Sequence, residues 1–377
     1  MKRQGINIYV VILIVITLIF SFLTIYAFGE QEGHSFSVSA RSAVLYQPDS
    51  EVFVYTKNSD IRLPMASTTK IMTALVTLES CALDEVVTVD SAATHIEGSS
   101  AYLKEGERLT VEELLYALML QSANDAAVAL AIHIGGDIDG FSALMNRRAE
   151  SLGLCDTHFT NPHGLDDKEH YTTAKELAII AACAMENPTF RQICSTYKKT
   201  FATEERSRTY VNHNKLLRLY DGCVGVKTGF TKKSGRCLVS AAVRDGLGFI
   251  SVTLDAPNDW QDHRRMLDYG YEALEKIRLA NEFEYVYKLP VLGGEREYVI
   301  ATNPEGAEVI TEKCEHNIDC QIKMTRYAIA PISRGDRIGE IIYTIDGKET
   351  VRVPIVATET VKQKEKRSIF DLFRDKQ

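Results

Sequence analysis

Three short clusters of polar residues in this chain have compositions and spacings that suit nucleophilic catalysis. The first is Ser67-Thr68-Thr69-Lys70, in which a serine precedes a lysine by three positions. Residues three apart on a helix share a face, so the Lys70 amine could reach the Ser67 hydroxyl. A serine becomes a useful nucleophile only when a base accepts its proton, and a lysine can be that base only if its pKa falls well below about 10.4. Burial and a second nearby cation would both lower that pKa.

Two further clusters have compositions suited to holding a substrate. Ser122-Ala123-Asn124 places a hydroxyl and a carboxamide two residues apart, at the junction of two predicted helices. Lys227-Thr228-Gly229, followed by Phe230, lies on a predicted strand, where the glycine lets another group approach the backbone closely. A lysine and a threonine together suit recognition of a carboxylate. Taken singly, the first of these clusters is better explained as a pair of local capping residues, and the second as an ordinary surface strand.

The serine–lysine spacing alone is not specific, because it occurs twice. Ser195-Thr196-Tyr197-Lys198 repeats it among polar and basic neighbours, and nothing downstream completes a site there. We therefore interpret the second copy as surface. The first copy differs because the other two clusters follow it along the chain in a defined order.

The predicted elements place each cluster at an edge of regular structure. Apolar residues at three- and four-residue steps predict a helix that begins near Ser67, where serine is favoured as a cap. Thr110-Val111-Glu112-Glu113 has the form of a capping box and predicts a helix that ends near Gln121. A further apolar helix is expected from Asp125 to about Ile134, so the second cluster falls between two helices.

The remaining elements predict an antiparallel sheet between helices, followed by a β domain. A hairpin is expected over Ser42 to Asn58, strands over residues 223–254, and helices over Phe141 to Leu152, Thr173 to Met185 and about Asp262 to Ala280. Residues 283–357 show short strands separated by glycine-containing turns, which predicts a small all-β domain. The expected fold class is therefore α/β (α+β), with an antiparallel sheet between helical layers and a β domain after it.

With its clusters in this order, the chain resembles the low-molecular-mass penicillin-binding proteins that act as serine-type D-alanyl-D-alanine carboxypeptidases. The resemblance extends to Pro64-Met65-Ala66 before the serine and to the segments Phe159 to Leu165, His170 to Ala174 and Asp268 to Tyr271. It covers roughly residues 38 to 357. It implies a penicillin-binding or β-lactamase-like transpeptidase fold for residues 30–280 and a β-rich C-terminal domain for residues 281–357.

The resemblance also implies catalytic roles. Ser67 would attack the carbonyl between two D-alanines, Lys70 would accept its proton, and Ser122 would relay a proton toward the leaving amine. The acyl-enzyme would then be hydrolysed by water. No cofactor is implied.

The same resemblance assigns the substrate-binding residues. Asn124 would contact the peptide, Lys227 would keep the site electropositive, and Thr228 would bind the terminal carboxylate. Gly229 would allow close approach, and the backbone N–H groups of Phe230 and Ser67 would form the oxyanion hole. The implied partners are peptidoglycan pentapeptides that end in D-Ala-D-Ala, and β-lactam inhibitors that acylate the serine.

The first 29 residues are typical of a secretory signal peptide. Lys2 and Arg3 precede an apolar run from Ile8 to Phe28, and Ala27-Phe28-Gly29 offers a cleavage site. The run is also long enough to cross a bilayer, so an uncleaved anchor is the alternative. Both alternatives place the rest of the chain outside the cytoplasm, at the outer face of the cytoplasmic membrane or in the cell wall.

Charge and composition bear on the remaining partners. A formal net charge of −8, with no basic concentration in the main body, argues against nucleic acid. The basic tail, residues 358–377, carries Ile369, Leu372 and Phe373 at helical spacing, so it is either a helix on a membrane surface or a frayed solvated end. Of the eight cysteines, Cys314 and Cys320 are close enough in sequence to pair.

Two alternative functions and one candidate metal site are weighed against the carboxypeptidase. A β-lactamase would need a carboxylate that drives fast deacylation, a role that Glu169 could fill. A non-catalytic penicillin sensor or wall-binding module would show damaged clusters, whereas all three are intact. His158, His163 and His170, with acidic residues nearby, invite a metal site, but their spacing matches no zinc signature and we interpret them as residues that order a loop.

Overall fold

The structure, a computed structural model, describes residues 37–202 and 206–365. The predicted signal or anchor segment, residues 1–29, lies outside the described residues, as do the amphipathic positions of the tail. The first domain along the chain combines helices with a sheet, and the second is built of strands. Each has its own hydrophobic core. The expected order of an α+β domain followed by an all-β domain is confirmed.

An antiparallel sheet of five strands forms the centre of the first domain. Its order is β2-β1-β9-β8-β7, so the hairpin near the start of the chain lies beside the last strand of the domain. The strand bounds are β1 Ser42–Gln47, β2 Val52–Lys57, β3 Val86–Thr88, β4 Arg108–Thr110, β5 Lys198–Ala202, β6 Ser207–Val211, β7 Cys223–Thr231, β8 Gly235–Arg244 and β9 Leu247–Leu254. β7 is an edge of this sheet, which leaves one side of the strand free to line a cleft.

Helices supply the rest of the first domain, and side-chain caps define where several of them begin. The helix bounds are α1 Lys70–Ser80, α2 Val111–Leu120, α3 Asn124–Gly135, α4 Ile138–Ser151, α5 Ala174–Glu186, α6 Pro188–Ser195, α7 Leu216–Leu219 and α8 Asp259–Ala273. The predicted cap at Thr110 is present, because its hydroxyl accepts a hydrogen bond from the Glu113 N–H at 3.2 Å. Thr173 caps α5 in the same way at 3.1 Å.

α3 lies in the core rather than on a surface. Its first eight residues are buried, and it contacts α2, α4 and α1. Within the described part of the chain, a single helix long and apolar enough to cross a membrane is not found; only α3 and α4 taken together, bent by 84°, meet the criteria of length and composition. Burial of its apolar residues against other helices accounts for the composition of α3.

The sequence-based prediction was wrong for the end of the first domain. The helix expected to reach Ala280 ends at Ala273, and β10, Leu274–Ala280, follows it. β10 pairs antiparallel with β13, Ala307–Glu312. Hydrogen bonding of β10 to a strand distant in sequence overrides the local helical pattern. This is a tertiary effect, so a short window of sequence cannot predict it.

The second domain is all-β, as expected. Its main sheet has the order β14-β16-β17-β12-β11-β15, and Val299, Ile341 and Ile355 are fully buried in its core. The remaining bounds are β11 Val286–Leu292, β12 Tyr298–Thr302, β14 Ile318–Met324, β15 Ala328–Ile329, β16 Arg337–Ile345 and β17 Lys348–Ala357. Cys314 and Cys320 are both exposed and unpaired here, so the pairing considered from sequence is not formed.

Candidate active site

Ser67 lies in a single 3-10 turn, Ala66–Thr69, that leads directly into α1. It does not cap the helix, so the capping role expected from sequence is wrong. The turn is fixed by its neighbours, because the Thr68 and Thr69 hydroxyls donate to the carbonyls of Met65 and Ala66 at 2.6 and 2.8 Å. Ala66 has a φ of +48°, a left-handed conformation that alanine rarely adopts. Such strain concentrates at functional sites.

The Lys70 amine lies directly beneath the serine. Its Nζ is 2.9 Å from Ser67 Oγ, 2.7 Å from Asn124 Oδ1 and 2.6 Å from the carbonyl oxygen of His163. The side chain is fully buried. Burial holds the pKa of Lys70 well below its ordinary value, and the nearby charge of Lys227 lowers it further, while Asp125 acts in the opposite direction.

These three contacts are compatible with an uncharged amine. The carbonyl oxygens of Asn124 and His163 can only accept, so each takes an N–H group of Lys70. In an uncharged Lys70 the nitrogen lone pair is left for the third partner, Ser67 Oγ at 2.9 Å, whose proton it can accept. The geometry is therefore compatible with the base that the serine–lysine spacing predicts.

Asn124 is oriented so that its oxygen faces Lys70. Its amide nitrogen donates to the carbonyl oxygen of Glu97 at 2.5 Å, which assigns the other end of the amide as the acceptor. Its backbone N–H donates to the carbonyl oxygen of Ser99 at 2.7 Å. The residue is 4% exposed, and both ends of the amide contact protein groups. Asn124 therefore holds a fixed position against the Lys70 amine.

Ser122 occupies the junction between α2 and α3 and lines the same cleft as Ser67. Its φ of +62° places it in the left-handed region, where a non-glycine residue costs roughly 1 kcal/mol or more. The prediction that this cluster falls between two helices is confirmed. The unusual backbone conformation directs a hydroxyl into the cleft instead of continuing either helix.

The third cluster lies on β7, at the edge of the sheet. Lys227 is 1% exposed, burial lowers its pKa to about 7, and its Nζ donates to the Thr228 carbonyl oxygen at 3.0 Å. A Cβ added to Gly229 would lie 3.0 Å from the Ser67 nitrogen, so a side chain there would push the strand and the turn apart by a few tenths of an ångström. Thr228 lines the cleft, and the Phe230 side chain is exposed.

The loop over Phe159 to Leu165, which the sequence analysis used only for the family resemblance, contributes one of the three contacts of the Lys70 amine. The His163 carbonyl oxygen accepts from Lys70, and the next residue, Gly164, has a φ of +87°. A Cβ on Gly164 would lie 1.9 Å from the Ala66 carbonyl oxygen, so the loop packs directly on the strained turn before Ser67. Sequence reasoning missed these residues as part of the site, although the Asn-Pro-His-Gly run was a visible signal.

The histidines order this loop, as expected. His170 Nε2 lies 2.7 Å from the Thr69 hydroxyl, and its Nδ1 accepts from the Thr160 N–H at 3.1 Å. Burial lowers the pKa of His170 to about 4 and that of His163 to about 3, so both rings are neutral near neutral pH. In the described ranges, one group of residues meets the geometric requirement for a metal ion: Cys81, Glu85 and His133. The group does not include the loop histidines, and none of its members lines the cleft.

The cleft holds about 570 Å³ and brings the three clusters together. Ser67, Ser122, Thr228, Gly229 and Phe230 line it, while Lys70, Asn124 and Lys227 are buried. The second serine–lysine copy does not form such a site. Ser195 is exposed and its hydroxyl donates to the Gln192 carbonyl oxygen at 3.1 Å, and Lys198 is exposed as well, which confirms the interpretation as surface.

Comparison with known proteins gives consistent matches over both domains. A family profile described as D-alanyl-D-alanine carboxypeptidase matches residues 29–258, and one described as penicillin-binding protein 5, C-terminal domain, matches residues 275–363. The D-alanyl-D-alanine carboxypeptidase DacF of Bacillus subtilis is 33% identical over 353 residues, which are 89% of this chain and 90% of that protein.

Comparison with solved structures gives matches to the same group of proteins. Penicillin-binding protein 5 from Haemophilus influenzae superposes with a TM-score of 0.65 at 26% identity, covering 87% of this chain and 99% of that structure. The Streptomyces K15 DD-transpeptidase superposes with a TM-score of 0.60 at 36% identity, covering 63% of this chain and 98% of that structure. The first match spans both domains.

Proposed function

The chain belongs to the family of D-alanyl-D-alanine carboxypeptidases, and from that premise we propose that Ser67 is its nucleophile. The protein is a serine-type hydrolase that removes the terminal D-alanine from peptides ending in D-Ala-D-Ala. The observation that carries the assignment of Ser67 is the approach of the Lys70 amine to its hydroxyl at 2.9 Å, with both other contacts of that amine made to carbonyl oxygens. Burial lowers the pKa of this lysine, which favours the uncharged form that can accept the serine proton.

Acylation follows from the geometry. Ser67 Oγ attacks the carbonyl between the two D-alanines as its proton passes to Lys70 Nζ. The backbone N–H groups of Ser67 and Phe230 stabilise the negative charge on the carbonyl oxygen, in the gap that Gly229 keeps open. The proton on Lys70 Nζ then passes to the leaving amine by way of the Ser122 hydroxyl, which gives up one proton and receives another, so both side chains return to their starting states. The C–N bond breaks, and D-alanine departs from the ester on Ser67.

Deacylation reverses the proton transfers with water in place of the amine. Lys70 takes a proton from water, the hydroxide attacks the ester, and Ser67 leaves with a proton. In this scheme Asn124 positions the base and Lys227 keeps the site electropositive. Thr228 binds the carboxyl end of the peptide, as it does for the equivalent carboxylate of β-lactams, which acylate the same serine.

The substrate lies outside the cytoplasm, in peptidoglycan stem peptides. We place the protein at the outer face of the cytoplasmic membrane or in the cell wall, with residues 1–29 as a signal peptide or anchor. We further propose that residues 281–357 form the second domain, and that the basic tail contacts the membrane surface. Vesicle sedimentation with and without residues 358–377 tests the tail, and equal sedimentation would remove that proposal.

The decisive test is release of D-alanine from diacetyl-L-Lys-D-Ala-D-Ala. Ser67→Ala is expected to abolish release, and Ser195→Ala, which alters the serine of the surface copy with the same spacing, is expected to keep the wild-type rate. Equal release by wild type and Ser67→Ala would refute the mechanism. The same pair of variants measured with a fluorescent penicillin reports covalent labelling directly.

The β-lactamase alternative has less support. Glu169, the carboxylate considered for fast deacylation, is exposed and does not line the cleft. Among the described residues, Asp259 is the one acidic side chain that lines it, and Asp259 contacts Arg236. Nitrocefin separates the two functions, because one slow equivalent is expected here and rapid turnover would favour a β-lactamase. A non-catalytic sensor would label with penicillin yet release no D-alanine.

A further inference from the structure

Three side chains with metal-ligating atoms converge in the first domain, outside the cleft. Cys81, Glu85 and His133 each offer one ligand atom, and these atoms all lie within 4.8 Å of one another. His133 Nε2 lies 2.8 Å from Glu85 Oε1, and the Cys81 thiol approaches the same carboxylate. None of the three lines the cleft that contains Ser67, so the proposed reaction gives this group no role.

Regular structure holds the backbone of all three residues. Cys81 directly follows α1, and its N–H donates to the Thr77 carbonyl oxygen at 3.0 Å. His133 lies in the last turn of α3. Glu85 directly precedes β3, and its carbonyl oxygen accepts from the Val111 N–H at 2.9 Å, at the start of α2. Because the ligands are already close together in folded structure, little conformational entropy is lost when an ion binds between them.

The ends of two helices favour a positive ion at this position. The carbonyl end of an α-helix carries a partial negative charge of about half an elementary charge. Cys81 and His133 belong to the C-terminal ends of α1 and α3, and Glu85 adds a carboxylate. The group is therefore suited to a cation rather than to an anion.

The ligand types and their spacing select the metal. Thiolate, imidazole and carboxylate are the ligands of zinc, whereas Mg²⁺ and Ca²⁺ prefer oxygen ligands alone. Tetrahedral zinc with ordinary bond lengths holds such ligand atoms about 3.4–3.6 Å apart. The distance between His133 and Glu85 is shorter than this, at 2.8 Å, and the 4.8 Å limit for the group is longer. Shifts of about 1 Å in partly exposed side chains therefore reach the geometry of zinc.

We propose that Cys81, Glu85 and His133 bind one Zn²⁺ ion, with water in the fourth position. The ion takes the place of the proton between His133 and Glu85, and the thiol proton of Cys81 passes to the solvent. It links the C-terminal ends of α1 and α3, the two helices whose first residues are Lys70 and Asn124. Because the unfolded chain does not hold the three ligands together, zinc stabilises the folded first domain.

Cobalt is the probe for this site, because Co²⁺ takes the same ligands as zinc and absorbs light when a thiolate binds it. The metal-free full chain, in a reducing buffer, is titrated with Co²⁺. We expect a thiolate-to-cobalt charge-transfer band that saturates at one equivalent and disappears when Zn²⁺ is added. Cys81→Ser is expected to remove the band. His133→Gln and Glu85→Gln should each weaken Zn²⁺ binding by at least about tenfold, since even the outer partners of metal ligands contribute that much.

Cys314 supplies the matched control, because it also has a histidine beside it. Its Sγ lies 3.5 Å from His316 Nε2. The two ring nitrogens of His316 already contact the Asp346 carboxylate and the Glu312 carbonyl oxygen, at 2.6 and 2.7 Å. We therefore expect Cys314→Ser to keep the cobalt band. Loss of the band in Cys314→Ser, a band unchanged in Cys81→Ser, or no band in wild type would overturn the proposal.

Thermal unfolding followed by circular dichroism measures the stabilisation. Zn²⁺ at about a hundredfold above its Kd is expected to raise the Tm of wild type and of Cys314→Ser by about 5–10 °C, and to leave the Tm of Cys81→Ser and His133→Gln unchanged. The Tm of each variant without metal shows that it folds. A wild-type Tm that does not respond to Zn²⁺ would refute the stabilising role. Both readouts report binding and folding, so they do not depend on the assignment of Ser67.

Discussion

Replacement of Gly164 by alanine is the most informative perturbation of this site, because it acts on the nucleophile from the neighbouring loop. The added Cβ would lie 1.9 Å from the Ala66 carbonyl oxygen, 2.4 Å from its carbon and 2.8 Å from the Thr69 hydroxyl. Gly164 also has a φ of +87°, which alanine adopts only with strain. The loop and the Ala66–Thr69 turn must therefore separate by an ångström or so.

Two costs add in this variant. The left-handed conformation costs about 1–2 kcal/mol, and a forced overlap in a packed interior costs about 1–3 kcal/mol more. We expect the free energy of unfolding to fall by about 2–5 kcal/mol. Acylation should slow by about a hundredfold, because a 1 Å misplacement of reacting groups has an effect of that order.

Gly153→Ala is the matched control. Gly153 has a similar φ of +74°, but a Cβ there would meet nothing within 4 Å, so only the conformational cost of about 1–2 kcal/mol applies. Urea unfolding followed by fluorescence of Trp260, the single tryptophan, reports the first domain. Labelling by a fluorescent penicillin gives the acylation rate. Equal destabilisation of the two variants, with wild-type labelling in Gly164→Ala, would refute the packing argument.

Two further predictions concern pH. Lys227→Gln removes a charge that lowers the pKa of Lys70, so the pKa of Lys70 is expected to rise. The acid limb of the pH profile of the acylation rate should therefore move to higher pH. An unchanged acid limb would contradict the coupling between the two lysines. The pKa of His170 is about 4 in the folded protein and about 6.5 in the unfolded chain. Between these two pH values the unfolded chain binds more protons than the folded protein. The free energy of unfolding therefore falls by about 1.4 kcal/mol for each pH unit as the pH is lowered through this window. His170→Gln should flatten the dependence of stability on pH, and His95→Gln, at an exposed position, should not.

The proposed catalytic residues were accessible from the sequence because their chemistry depends on short spacings. Ser67 and Lys70 are one turn apart whether the turn is 3-10 or α, so the pair survives an error in the predicted start of the helix. The Thr110 cap and the apolar pattern of α2 are local as well, and they placed Ser122 and Asn124 between two helices. Local sequence rules were sufficient to predict an element or a residue's place in it wherever the residues that determine it lie within a few positions of one another.

The prediction failed where distant segments decide the structure. Residues 274–280 form a strand because 307–312 provide the ladder, and no local signal announces that partner. The role of the loop at His163 is of the same kind. Its carbonyl oxygen contacts Lys70 across 93 residues, and a backbone group has no sequence signature.

By itself, the sequence determined which groups could react: a serine and lysine in register, a hydroxyl and an amide at a helix junction, and a glycine on a strand. Only the tertiary structure decided the direction of the Lys70 pKa shift, on which the proposed chemistry depends. Burial beneath the cleft and the approach of Lys227 lower the pKa of Lys70, while two carbonyl oxygens from separate segments take its N–H groups. Desolvation and through-space charge arise only once the chain has folded, because they depend on distances between segments far apart in sequence.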